Sequence, residues 1–388
     1  MNPASIRLED HHFAQVGPLP AFHARDCLDD ALARFFKRLA AHDLKDVKFH
    51  GLFSGPTGIA YLFIVLQKHF AGDERFKKYH DQLQTWIKTL LLDIPRPPRI
   101  VNPSRGGIAD EQAAYLSILA TYENNPTKAE AATQIAMSAV SMEVCDSNEW
   151  LYGRAGYLYL LRILKAHFST NTNLVSKIDA ALNALVSTIM SSPRPWLWHG
   201  MEGFGAVHGS IGIITQVYLS DESQRTALHA DMEVILDKQL PNGNWDAAPG
   251  RGDRLVQVCH GAPGIVISLK KLHMRGFFYG NQELAERANL AIKKGIECIA
   301  QRGLLTKYPS LCHGIAGNAL AFPPHQKELL GFMICMTEEF IEQGRGTIFT
   351  QGEDDVLSLW TGPAGRVWTW YVYLSEGYWK DLIGYCDI

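Results

Sequence analysis

The chain has no run of about 18 consecutive apolar residues, so a membrane-spanning helix is not expected. Charge of one sign is also scarce: 37 Lys and Arg face 40 Asp and Glu, for a formal net charge of −3 and a pI near 6.6. That balance argues against a general electrostatic grip on nucleic acid. Cysteine is sparse as well. Seven cysteines, an odd number scattered without tight spacing, do not make a disulfide framework. The opening residues Met1 to Asp10 contain no apolar leader. Position 2 is Asn2, where myristoylation needs glycine, and Cys386 falls one place too late for a prenylation box. The expectation is a soluble, cytoplasmic protein with reduced thiols and no nucleic-acid partner, transmembrane segment or lipid anchor.

What the chain does have is a repeated turn. Val258-Cys259-His260-Gly261-Ala262-Pro263-Gly264 returns as Leu311-Cys312-His313-Gly314-Ile315-Ala316-Gly317. The underlying Gly-x-x-Gly also occurs at Gly55–Gly58, Gly153–Gly156, Gly209–Gly212 and Gly362–Gly365, and in degenerate form at Arg105-Gly106-Gly107-Ile108-Ala109-Asp110. First glycines at 55, 107, 153, 209, 261, 314 and 362 give a period near fifty residues, enough for two helices and two links.

The stretches that start at each Gly-x-x-Gly are apolar nearly all round, which predicts helices buried on both sides. The stretches between them, such as 285–300, carry one polar face (Glu286, Lys293, Lys294, Glu297) and belong outside. An all-α fold follows: a closed α/α toroid, or double helical barrel, of seven inner and seven outer helices built from seven Gly-x-x-Gly repeats. Neither terminal unit reads as a polar cap, which favours closure over an open solenoid. Helices are expected over 27–45 and about 75–93, the second closed by Pro95, Pro97 and Pro98. No composition break divides the chain, so residues 1–388 read as one domain, with 1–26 as an N-terminal arm. The turn-rich loop 241–257 serves either as a surface connection or as the rim of a pocket.

The chemistry concentrates at the glycine end. Cys259 and Cys312 occupy equivalent places in neighbouring repeats and so project toward one point. Two thiolates and an imidazole suit Zn²⁺, and three protein ligands leave a fourth position open, as in catalytic rather than structural zinc sites. His260 and His313 cannot easily both face the ion, because neighbours on a turn diverge. His208, at the same turn one repeat earlier, sits at the rim, either as a helix cap or in position for proton transfer. His199 is a weaker candidate. Tyr152 and Arg154 flank the third-repeat glycines and reach the same mouth unless they serve packing. Lys307, five residues before Cys312, is a solvated lysine or an anchor for a carboxylate.

These segments give a specific resemblance. Asn148 to Arg154, Ala206-Val207-His208-Gly209, Cys259 to Gly264, Gly303 to Lys307, Cys312 to Asn318 and Leu359 to Gly365 are similar to the lanthionine synthetase C-like (LanC-like) proteins of the eukaryotic branch, over roughly residues 27–380. The resemblance implies a seven-fold α/α toroid with one zinc ion held by Cys259, Cys312 and His313, and His260 supporting the site without binding metal. Lys307 matches a position implicated in glutathione binding. It also implies a function: addition of glutathione to dehydroalanine or dehydrobutyrine residues in proteins or peptides. For such a reaction, physical reasoning has the metal keep the thiol ionised and assigns the proton at Cα to His208, with Arg154 as an enolate or phosphate contact and Tyr152 beside it. Bacterial relatives close thioether rings within a peptide. They carry an aspartate ahead of the third-repeat glycine, where this chain has Leu151-Tyr152, which places the lanthionine cyclase activity in doubt. Two further alternatives stand beside the enzyme. One is a zinc- and glutathione-binding sensor or adaptor without turnover. The other is a prenyltransferase β-like subunit, which would need an aspartate where Val256 stands.

Overall fold

The computed structural model describes residues 8–9, 12–13, 22–44, 47–324, 326–350, 355–375 and 382–388. Most of the segment read as an N-terminal arm lies outside the described residues. Fifteen α-helices account for most of the described chain. They fall into two compact units, one comprising Met1–Ala41, Pro193–Val356 and Trp360–Asp387, the other His42–Ser192 with Leu357–Leu359 and Ile388. The sequence shows no break at these boundaries; the division lies in the packing.

The second unit holds three repeats. The buried helices are α2 (Pro56–Phe70), α4 (Glu111–Glu123) and α6 (Arg154–His167), and each is followed by a more exposed partner: α3 (Lys77–Lys88), α5 (Pro126–Ser138) and α7 (Thr172–Ser191). Helix α3 continues as a wider turn through Asp93 before the prolines stop it. The degenerate second repeat delays its helix to Glu111, where the Asp110 carboxylate accepts the Ala113 N–H at 3.1 Å as an N-cap. By length and composition alone α7, with a mean hydropathy of 1.2, is apolar enough to cross a membrane, although the sequence suggested no such segment. It packs on α5 and α6 through Leu174, Ile178, Leu182, Leu185 and Ile189, as the amphipathic partner of a buried helix does.

The first unit holds the other four repeats. Its buried helices are α8 (Ser210–Ser220), α10 (Ala262–Met274), α12 (Ile315–Ala319) and α15 (Pro363–Leu374). Their amphipathic partners are α9 (Arg225–Asp237), α11 (Gln282–Arg302) and the pair α13 (Lys327–Cys335) and α14 (Glu338–Gly344), one predicted helix broken in two. Helix α1 (Ala24–Ala41) packs against α15 and α14 through Leu28, Leu32, Phe35 and Leu39. It starts and ends a few residues earlier than the 27–45 pattern suggested. Two-residue strands pair antiparallel as β1 (Leu8–Glu9) with β2 (His12–Phe13) and β3 (Leu197–Trp198) with β4 (Met201–Glu202). Neither hairpin was expected. The second turns through His199 (φ 48°) and Gly200 (φ 73°), left-handed backbone that suits a two-residue hairpin turn.

The repeated glycines have one physical cause. A Cβ on the second glycine of the turn would lie 1.9–2.4 Å from the carbonyl oxygen six residues earlier, as at Gly58, Gly156, Gly212, Gly264 and Gly317. At these five turns the chain enters the buried helix by folding back onto its own backbone, and only hydrogen fits in the gap.

Candidate metal centre and adjoining cavity

Equivalent residues of adjacent repeats are hydrogen-bonded through the backbone. In the second unit the Leu52 N–H donates to Ile108 O at 2.9 Å and Ala109 N–H to Leu151 O at 3.1 Å. In the first unit the Cys259 N–H donates to Cys312 O at 3.1 Å, and the Cys312 N–H to Trp360 O at 2.9 Å. This stitching sets Cys259 and Cys312 side by side just ahead of the helix starts. The two sulfurs and a His313 ring nitrogen lie within 4.8 Å of one another. Metal–sulfur bonds of about 2.3 Å and metal–nitrogen bonds of about 2.0–2.1 Å place tetrahedral donors roughly 3.3–3.8 Å apart, so small side-chain adjustments close this set on one ion. The donor chemistry, two thiols and an imidazole, suits zinc.

The thiols fit that role electrostatically. Cys259 is only 6 % exposed, yet its hydrogen bond with Cys312 holds its thiol well below the usual range. The His313 hydrogen bond and the positive ends of His260 and His313 act in the same direction, against burial. The Gln257 amide also donates to the Cys259 sulfur at 3.2 Å, a contact that the sequence pattern did not reveal. Elsewhere burial does the opposite: the thiols of Cys27, Cys145 and Cys298 are pushed up to about 11, and that of Cys335 higher still. Among these five thiols the downward shift falls on Cys259, the one in the metal-ligand geometry. The seven cysteines form no disulfide.

Beside the thiols lies a cavity of about 490 Å³, lined by Trp198, Met201, Glu202, Gly203, His208, Ala247, Ala248, Arg251, Arg254, Leu255 and His260. His208 stacks on Trp198, ring centroids 3.8 Å apart and planes 12° from parallel. His260 is 5.7 Å from His208, ring to ring. The loop 241–257 is thus both a surface connection and a pocket wall. Its shape is fixed by Asp253, whose carboxylate accepts from Arg302 at 2.8 Å and from Asn242, and whose carbonyl accepts from Asn244 and Arg302, both at 2.8 Å. The Asn244 side-chain oxygen Oδ1 in turn accepts the Ala262 N–H at the start of α10, 2.8 Å away. His199 sits exposed at the hairpin tip, edge-on to Trp198 at 4.5 Å, and is not a cavity residue. The stacking role of Trp198 had only a Trp-His-Gly string as its signal.

Lys307 is half-buried, with no ion pair among the described residues, on the segment leading to Cys312. Arg154 is the first residue of α6. It belongs to the second unit, is 1 % exposed, and all five of its N–H groups are engaged. They donate to the carbonyls of Ala139, Ser147 and Cys145, the Asn148 side-chain oxygen and the Met142 sulfur. It ties the turn 139–148 to the start of α6 and has no donor left for a substrate. Tyr152, in the same unit, is half-buried, and its carbonyl accepts the Gly106 N–H at 2.9 Å.

An all-helical repeat protein with a two-thiol, one-imidazole centre beside a histidine-lined cavity is the class defined so far. The profile of the family described as Lanthionine synthetase C-like protein matches residues 109–382. The chain belongs to that family and has its fold, the α/α toroid. It is 27 % identical over 351 residues to "Glutathione S-transferase LANCL1" of Danio rerio, covering 81 % of this chain and 80 % of that protein. It is also 29 % identical over 250 residues to "LanC-like protein GCL1" of Arabidopsis thaliana, covering 59 % and 55 %. Both relatives are eukaryotic.

Proposed function

We propose that this protein joins the thiol of glutathione to the β-carbon of dehydroalanine or dehydrobutyrine residues in proteins or peptides. The observation that carries the reading is the Cys259, Cys312 and His313 donor set, all within 4.8 Å, next to a cavity that contains His208. The printed name of the zebrafish relative, a glutathione S-transferase, supports glutathione as the thiol. Zinc held by Cys259, Cys312 and His313 would supply the charge that keeps a bound thiol deprotonated near neutral pH.

The remaining work falls to the chain itself. Lys307 offers an ammonium to a glutathione carboxylate. As a sulfur lone pair forms the bond to Cβ, the π electrons of the Cα–Cβ double bond move to Cα, and an imidazole N–H of His208 delivers the proton there. The proton lost by the thiol balances the one gained at Cα. Trp198, stacked on His208 at 3.8 Å, fixes the plane of the imidazole, and His260, next to Cys259 in the chain, lies 5.7 Å ring to ring from His208. The absence of an aspartate at Leu151-Tyr152 favours addition of a separate thiol over ring closure within a peptide.

The test is intact-mass analysis of a dehydroalanine peptide incubated with glutathione and the purified protein. The reading predicts a gain of one glutathione, with the Lys307→Met variant showing a glutathione KM raised roughly 5–10-fold. Glutathione binding with no adduct above the uncatalysed rate would instead identify a binding module.

A further inference from the structure

We propose that the cavity beside the metal centre is the docking site of the peptide that carries the electrophile, and that Arg251 and Arg254 select peptides with an anionic side chain close to the reactive residue. The proposal rests on the addition chemistry above, because it follows from where the proton must be delivered. If His208 protonates Cα, the reactive residue lies inside the cavity that His208 lines. Extended chain advances about 3.3–3.6 Å per residue, so side chains one or two positions away fall on the walls and rim.

Those surfaces are of two kinds. The walls are apolar, made by Trp198, Met201, Leu255 and the alanines of the loop. Among the described residues the rim carries two exposed guanidinium groups, Arg251, which also contacts the Met201 sulfur at 3.4 Å, and Arg254, against one carboxylate, Glu202. Asp253, between the arginines, is turned to Arg302 and Asn242 and does not line the cavity. Because Arg302 and Asn244 also hold the Asp253 carbonyl, the loop presents its arginines from a fixed frame, which lowers the ordering cost of binding. Glutathione is the poorer occupant. It has little apolar surface for the Trp198 and Met201 wall, and Lys307, the lysine assigned to it, does not line this cavity. A carboxylate and a phosphate offer the arginines the same anionic oxygens, so glutamate and phosphoserine are the two sources to separate.

The experiment uses the zinc-loaded full chain with fluorescent peptides holding alanine at the reactive position and glutamate, phosphoserine, glutamine or lysine beside it, read by anisotropy. The same series with dehydroalanine is read by adduct formation. Glutamate and phosphoserine peptides are expected to bind about tenfold tighter than the glutamine peptide. The R251E/R254E double variant is expected to invert the ranking in favour of lysine, a gain that an unfolded protein cannot show. Tighter binding of phosphoserine alone would assign the site to phosphate, and equal gains would assign it to any anion. Charge-selective binding without adduct formation would sustain the docking site and reject the addition chemistry. Affinities independent of flanking charge would overturn the proposal. So would an R251E/R254E effect confined to the glutathione KM with the peptide ranking intact.

Discussion

Three histidines stand close together in the first unit, and their neighbours give them different work. His313 supplies the ring nitrogen within 4.8 Å of both metal-site sulfurs. His260 is set between the thiol turn and the cavity, 5.7 Å from His208. His208 stacks face to face on Trp198, ring centroids 3.8 Å apart, which aligns the imidazole. Replacing His208 with Asn should lower kcat for glutathione addition by roughly 10²-fold or more, the range for loss of a general acid, while the bound metal is retained. Equal losses of kcat and metal content, measured side by side, would show that His208 is structural. Arg154 shows the limit of reading roles from position in a motif. Its place next to a repeat glycine is the same as that of Ser210 or Ala262 in other repeats, but its long side chain reaches backward to five acceptors within residues 139–148.

At the scale of elements, the turn before each buried helix is both the structural and the chemical unit. The fold-back that excludes a Cβ at Gly264, 2.0 Å from Val258 O, is the same turn that presents Cys259. Gly264→Ala should therefore destabilise the protein by roughly 2–4 kcal/mol and reduce its affinity for metal, both measurable by denaturant unfolding with and without zinc. The second unit contains a different device. Glu111 at the start of α4 is partly buried, and desolvation raises its carboxyl from 4.5 to about 7 against the pull of Arg96, which lies 3.0 Å away. Thr57 and the Gly51 N–H, at 2.6 and 2.9 Å, also hold the ionised form. The folded state thus binds a proton more readily than the unfolded chain, so its contribution to stability is complete below about pH 4.5 and is lost as the pH rises to about 7. Glu111→Gln should flatten this window, by up to roughly 3 kcal/mol between its ends. Identical stability profiles for the two proteins from pH 4.5 to 7.5 would contradict the assignment.

For the whole molecule, the repeat architecture was legible because its cause is local. A glycine forced by its own chain six residues back recurs in five of the seven repeats, with an apolar helix following each. The metal-ligand trio was legible for the same reason, since Cys259 and Cys312 hold equivalent places in adjacent repeats. What the sequence hid depends on contacts that do not recur from repeat to repeat. The hairpin that brings Trp198 onto His208, the clamp of Asp253 by Arg302, and the amide of Gln257 on the Cys259 sulfur have no periodic signature. The same is true of the break between α13 and α14, and of α7, whose Lys177 and Asp179 interrupt an otherwise membrane-like composition.

The central claim is that Cys259, Cys312 and His313 hold one metal ion on which thiol addition depends. The most direct measurement strips the protein with a chelator, confirms by elemental analysis that the metal is gone, and restores zinc in fractional equivalents while following glutathione addition to a dehydroalanine peptide. The account predicts activity that rises linearly and levels off at one zinc per chain, and a Cys312→Ala variant that zinc does not restore. Product formation that continues unchanged in the stripped protein, or full activity in Cys312→Ala, would contradict it.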